Sequence, residues 1–138
     1  MPENTSPSKG SVALPEVGTV DGCSVLTGEG AISLIYTTYP TLDAAKSSAR
    51  ALVESRLAAC VNILPGMVAI YPWEGRIHEE AEVSVLVKTR SGLRGQCAHA
   101  IRAGHPYLNP AVLAFDVSAG STDYVGWIIE NTQAARQS

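Results

Sequence analysis

Cys60-Val61-Asn62-Ile63-Leu64-Pro65-Gly66-Met67-Val68-Ala69-Ile70-Tyr71, followed after Pro72-Trp73-Glu74-Gly75 by Arg76 to Lys88, decides how this chain folds. The first run is too long and too rich in β-branched residues for a connector, so it reads as a strand. Pro65-Gly66 inside it predicts a bulge or bend rather than a reversal, because Pro has no N–H to give a ladder and Gly tolerates the positive φ of a bulge. Pro72-Trp73-Glu74-Gly75 predicts a hairpin tip, and Arg76 to Lys88 the returning arm. Arms of this length leave long edges that invite aggregation unless something pairs with them. A closed homo-oligomer meets that need symmetrically.

Upstream, Ile32 to Thr38 reads as a buried strand that ends before Tyr39-Pro40. Thr41 then suits a helix N-cap and Asp43 the positive end of the helix dipole. Leu42, Ala45, Ala49, Leu52, Val53 and Arg56-Leu57 recur near 3.6-residue spacing, while Lys46, Ser47, Arg50 and Glu54 take the other face. The strand has an echo in Val83 to Thr89, and each copy leads to a Leu that opens helical spacing, Leu42 and Leu93, giving two β-then-α units. Downstream, Ser91 is expected to cap a second helix with Leu93, Cys97, Ala100 and Ile101 inward, ending at Gly104. A strand over about Ala111 to Val117 follows. Ser121 or Thr122 is expected to cap a closing helix carrying Tyr124, Trp127, Ile128 and Ile129. The order βαββαβα predicts an α+β fold, a ferredoxin-like split βαβ sandwich with a long β-hairpin and its helices on one face. Residues 1–28, rich in Pro, Gly, Ser, Thr and Glu, are expected to be a flexible tail on a domain over 29–138.

A length of 138 residues with 46% hydrophobic and 17% charged residues suits one small domain with a core. No stretch approaches the roughly 20 apolar residues of a membrane helix. Met1-Pro2-Glu3-Asn4-Thr5 lacks the basic start and apolar middle of a secretory signal, so cytoplasmic residence is expected. A net charge of −3 without a basic cluster argues against nucleic acid. Cys23, Cys60 and Cys97 are odd in number and form no close pair, which argues against a disulfide framework.

Several separated motifs agree with one family in order and spacing. They are Arg56 to Gly66, Tyr71-Pro72-Trp73-Glu74-Gly75-Arg76-Ile77, Glu82-Val83 leading to Lys88-Thr89-Arg90-Ser91, His105-Pro106-Tyr107, and Thr122 to Trp127. Together they resemble the CutA family of divalent-cation tolerance proteins, over about residues 31 to 132. The resemblance implies a homotrimer and a metal-linked role for Cys60, with copper or another divalent ion as the ligand. Family trimers also look like the PII signalling proteins, which carry small effectors in clefts between subunits. The chain departs from the family pattern at Tyr36 and Ala100, where some members have further cysteines, and at Leu108, where Glu is common. Those departures weaken a multi-thiolate site and remove a carboxylate after the His-Pro-Tyr motif.

Among single residues, Cys60 carries the strongest chemistry, since a thiolate is the soft ligand that favours copper(I); its alternative is a small core hydrophobe. Cys97 reads as core and Cys23 as an accessory thiol in the tail. His78, Glu80 and Glu82 alternate, so they share one strand face, where an imidazole and carboxylates can hold a divalent ion or simply face water. His105 adds an imidazole that titrates near neutrality, beside Tyr107, or else ends a helix in a rigid turn. Tyr71, Trp73, Glu74, Lys88 and Tyr107 are candidates to line a cleft between subunits, with oligomer contact as the simpler role for the aromatics. No phosphate loop, paired cysteine motif or nucleophile elbow is present, so the chain is expected not to be an enzyme. Were it one, Cys60 with His105 would be the nucleophile and base. The function expected is that of a homotrimeric metal-tolerance protein; the alternatives are a PII-like module that binds an effector and signals through a protein partner, and a purely structural trimeric scaffold.

Overall fold

The computed structural model describes residues 22–134, so residues 1–21 of the expected tail lie outside it. Its central strand is β2 (Ile32–Tyr39), which pairs antiparallel with β4 (Arg76–Arg90) on one side and β5 (Val112–Asp116) on the other. The fourth strand, β3 (Cys60–Trp73), pairs antiparallel with β4, so the sheet runs β3-β4-β2-β5. With α1 (Leu42–Glu54) joining β2 to β3 and α2 (Arg94–Ala103) joining β4 to β5, this is the ferredoxin-like split βαβ arrangement expected from the element order.

Alternation decides what each sheet face does. Ile35, Val85 and Val87 point to one face and are buried with Ala45 and Leu52 of α1 and Cys97 and Ile101 of α2. Ile35 lies opposite Val87, which fixes the register of that apolar layer. On the other face, Lys88 donates to the Tyr124 hydroxyl (2.9 Å), and Arg90 donates to the Ile129 carbonyl and the Thr132 hydroxyl. The closing helix α3 (Thr122–Glu130) therefore packs on the face opposite α1 and α2, where Val125, Ile128 and Ile129 bury Ile32 and Ala59. The helices therefore cover both faces of the sheet and not one face as expected.

Thr41 caps α1 as expected, its hydroxyl accepting from the Ala44 N–H at 3.1 Å. The helix stops at Glu54, earlier than the apolar spacing suggests, because Arg56 turns into the left-handed region at φ 61. Leu57 N–H then bonds the Leu52 carbonyl and Arg56 N–H the Val53 carbonyl, a Schellman closure built on Arg instead of Gly. Ser91 does not cap α2. It lies in a 3₁₀ turn (Ser91–Leu93), and its hydroxyl is engaged by the buried Ser33 hydroxyl at 2.7 Å. Ser121 holds the N-cap position of α3 without a side-chain bond, and Thr122 pairs with Ser24 at 2.6 Å. That contact joins a small second sheet, β1 (Cys23–Val25) against β6 (Ala119–Ser121), so residues 23–25, within the stretch expected to be tail, form a strand.

The hairpin is as long as the sequence suggests. Its tip is Glu74-Gly75, both at positive φ (51 and 76), which closes a two-residue turn with Trp73 opposite Arg76. The ladder slips by one residue between Leu64 and Met67, at Pro65-Gly66, with Gly66 at φ 88. This bulge changes the phase of β3. Before it Val61 lies opposite Val87 and Ile63 opposite Val85; after it Val68 lies opposite Ala81, and Pro72 opposite Ile77. The apolar side of the hairpin thus continues the helix-covered face of the sheet beyond the helices. Among the described residues, no helix is long and apolar enough to cross a membrane.

Candidate functional site

Cys60 opens β3, and two contacts fix that position: Ala59 N–H donates to the Lys88 carbonyl (2.9 Å), and the Thr89 hydroxyl donates to the Leu57 carbonyl (2.6 Å). Cys60 lies directly opposite Lys88, on the face turned away from α1 and α2. Its sulfur is half-buried and has the Asn62 side-chain amide as a weak donor at 3.8 Å. Nearby, the Lys88 ammonium sits 5.1 Å from the centre of the Tyr124 ring, which stacks on Trp127 at 5.8 Å between centroids. Cys60 thus offers a soft donor on a partly open strand face. Asn62 was not among the residues expected at the site, although the period-2 rule places it on the same face as Cys60.

The other two thiols differ. Cys97 is wholly buried between helix and sheet, and that burial pushes its thiol up to about 12, so it stays protonated and behaves as core. Cys23 is exposed on β1 opposite Ser121.

His78, Glu80 and Glu82 do share one face of β4, as alternation requires. Their acidic members are already engaged. The Tyr71 hydroxyl donates to Glu80, and the Tyr107 hydroxyl donates to Glu82 at 3.3 Å. His78 stacks on Tyr71 at 5.6 Å. Both phenols are shifted upward, Tyr71 chiefly by its bond to Glu80 and Tyr107, to about 12, chiefly by burial with the Glu82 charge added. Among the described residues no three His, Cys, Asp or Glu side chains gather where they could hold one ion.

His105 stacks on Tyr39, with ring centroids 4.4 Å apart, and uses both ring nitrogens internally. Nε2 lies 2.8 Å from the Thr38 carbonyl, and Nδ1 accepts the Tyr107 N–H at 3.1 Å. Burial holds its pKa below the ordinary value, with the Thr38 bond opposing. Its ring has no nitrogen to spare for a metal ion in this arrangement, and the platform Tyr39 was not foreseeable from local sequence.

The candidates therefore divide along the strand. Lys88, beside Cys60, is six residues from Glu82, about 20 Å at roughly 3.3 Å per residue. Trp73 and Glu74 sit at the hairpin tip, about 40 Å from Lys88 on the same rise. Cys60 lies opposite Lys88, which pairs with Leu34 of β2, whereas His105 bonds Thr38 and stacks on Tyr39 at the end of β2, so one chain does not bring them together as nucleophile and base. Lys88, Tyr107 with Tyr71, and Trp73 with Glu74 share a cleft only if separate copies supply them.

The family model described as CutA1 divalent ion tolerance protein matches residues 33–131. The Divalent-cation tolerance protein CutA of Thermus thermophilus is 40% identical over 99 residues, which are 72% of this chain and 96% of that protein. Protein CutA of Mus musculus is 39% identical over 109 residues, 79% of this chain and 62% of that longer protein. Among solved structures, the periplasmic divalent cation tolerance protein CutA from Archaeoglobus fulgidus is 35% identical with a TM-score of 0.71, covering 74% of this chain and 99% of that one.

Proposed function

The chain belongs to the CutA1 divalent ion tolerance family, and on that premise we propose that it is a homotrimeric metal-tolerance protein in which Cys60 binds copper or another divalent ion. In this reading it is a binding protein of the cytoplasm that responds to metal ions, and it is not an enzyme. The observation that carries the proposal is the placement of Cys60, a half-buried thiol with only a weak amide partner, at the start of an edge strand. A thiolate there suits a soft ion such as copper(I), while the chemically similar Cys97 is sealed in the core. Among the described residues no set of His, Cys, Asp or Glu side chains gathers with this sulfur to hold an ion, so in this reading a second copy or solvent supplies the further donors. Assembly is supported by the uncovered apolar surface: Leu113 and Phe115 on β5, Leu64 on β3, and Ile70 and Ile77 on the hairpin are all exposed.

The test is an anaerobic copper(I) titration of the purified protein against a competing chelator, with wild type and Cys60→Ser compared as metal bound per chain. Tight binding that the substitution abolishes is the expected result. Binding that Cys60→Ser leaves unchanged would remove the thiolate from the reading. No binding at all would favour an effector-binding or scaffold role for the same trimer.

A further inference from the structure

The segment 104–107 after α2 crosses the end of β2, and its hydrogen bonds have a fixed sense. The Thr38 carbonyl can only accept, so the His105 Nε2 at 2.8 Å carries the proton. The Tyr107 backbone N–H can only donate, so Nδ1 at 3.1 Å is bare. Both partners demand the same neutral tautomer, and stacking of the ring on the buried Tyr39 at 4.4 Å fixes its plane. Pro106, between the two anchored residues, brings a fixed φ and no N–H of its own. β2 ends at Tyr39, opposite Val83, and the next residue along β4 is Glu82, the carboxylate that the Tyr107 hydroxyl reaches at 3.3 Å.

We propose that residues 104–107 form a strap that His105, in its Nε2–H tautomer, fastens to the end of β2, and that this fastening holds the Tyr107 hydroxyl over Glu82. His105 is then a positioning residue that acts through Tyr107. The titratable neighbours are Tyr39 of β2 on one face of the ring and Tyr107 beside it at 5.1 Å, with Cys97 of α2 behind Tyr39 and Glu82 and Glu80 of β4 beyond Tyr107. Releasing Nδ1 frees the Tyr107 amide and leaves Glu82 a bare carboxylate at the root of the hairpin. The strap stands apart from the thiolate reading, since Cys60 lies opposite Lys88, about 20 Å along β4 from Glu82.

The test begins without any substitution. Long-range proton–nitrogen NMR of the full nitrogen-labelled chain at pH 7.5 is expected to show His105 protonated on Nε2 and bare on Nδ1. His105→Gln retains a donor toward Thr38 but no acceptor for Tyr107, whereas His105→Asn retains an acceptor near the Nδ1 position. The Tyr107 amide is expected to exchange at least about ten-fold faster in His105→Gln than in wild type, and close to the wild-type rate in His105→Asn. An Nδ1–H tautomer in wild type, or equal Tyr107 exchange in wild type and His105→Gln, would overturn the proposal. The tautomer measurement decides even if both variants fail to fold.

Discussion

The two halves of the β3–β4 hairpin share one alternating pattern and end in opposite environments. In the inner half Val85 and Val87 are 2% and 0% exposed beneath α1 and α2, whereas in the outer half Ile70 and Ile77 on the same face are 66% and 74% exposed. The difference is one of cover and not of sequence character, because the Pro65-Gly66 bulge keeps the outer apolar residues in phase with the inner ones. A strand that preserves a core-like face after its own helices have run out presents the surface that the proposed assembly would cover.

Substitutions sharpen this contrast. The largest effect is expected in the covered half, where Ile35→Ala, opposite Val87 in the core, should lower unfolding stability by about 3 kcal/mol, read from urea midpoints. Gly66→Ala comes next. Nothing lies within 4 Å of an added Cβ, so the cost is the positive φ alone, about 1–2 kcal/mol, and a neutral result would mean that the bulge is not strained for an L side chain.

A smaller effect follows pH. The folded pKa of His105 is held below the ordinary 6.5 by burial, so below that value the unfolded chain binds more protons than the folded one. Its contribution is fully present above pH 6.5 and is lost as pH falls through 6.5 toward the folded pKa, a slope that thermal melts should show and His105→Gln should remove. The smallest effect on the fold of the single chain belongs to Ile77→Lys, within about 0.5 kcal/mol in dilute protein, because the site is open. That substitution should instead weaken assembly, and it breaks the comparison if its cost to the isolated chain rivals that of Ile35→Ala.

Much of the fold was legible because it rests on local periodicity. The β-branched and aromatic run Ile32 to Thr38, the 3.6-residue spacing after Thr41 and the Pro65-Gly66 interruption each correspond to an element observed. The shift of apolar residues from 61 and 63 to 68 and 70 is a further signal that locates the bulge. What escaped depends on long-range partners. β1 and β6 are three residues each, too short for alternation to register, and they exist because they find one another. The side chosen by α3 is set by Lys88 and Arg90, more than thirty residues upstream. Arg56 ends α1 in a backbone conformation usually given to Gly, and its role in receiving the last turn of α3 through the Glu130 carbonyl has no local signature. At the candidate site, the shared face of His78, Glu80 and Glu82 was readable, but their capture by Tyr71 and Tyr107 was not, since Tyr107 comes from another element.

The most direct test of the proposed trimer is the mass of the protein in solution. Sedimentation equilibrium of wild type is expected to give three times the chain mass of 14.5 kDa, with Ile77→Lys shifted toward the single chain. A wild-type mass of one chain at concentrations where the protein is folded would contradict the proposed assembly and leave the outer hairpin without its partner.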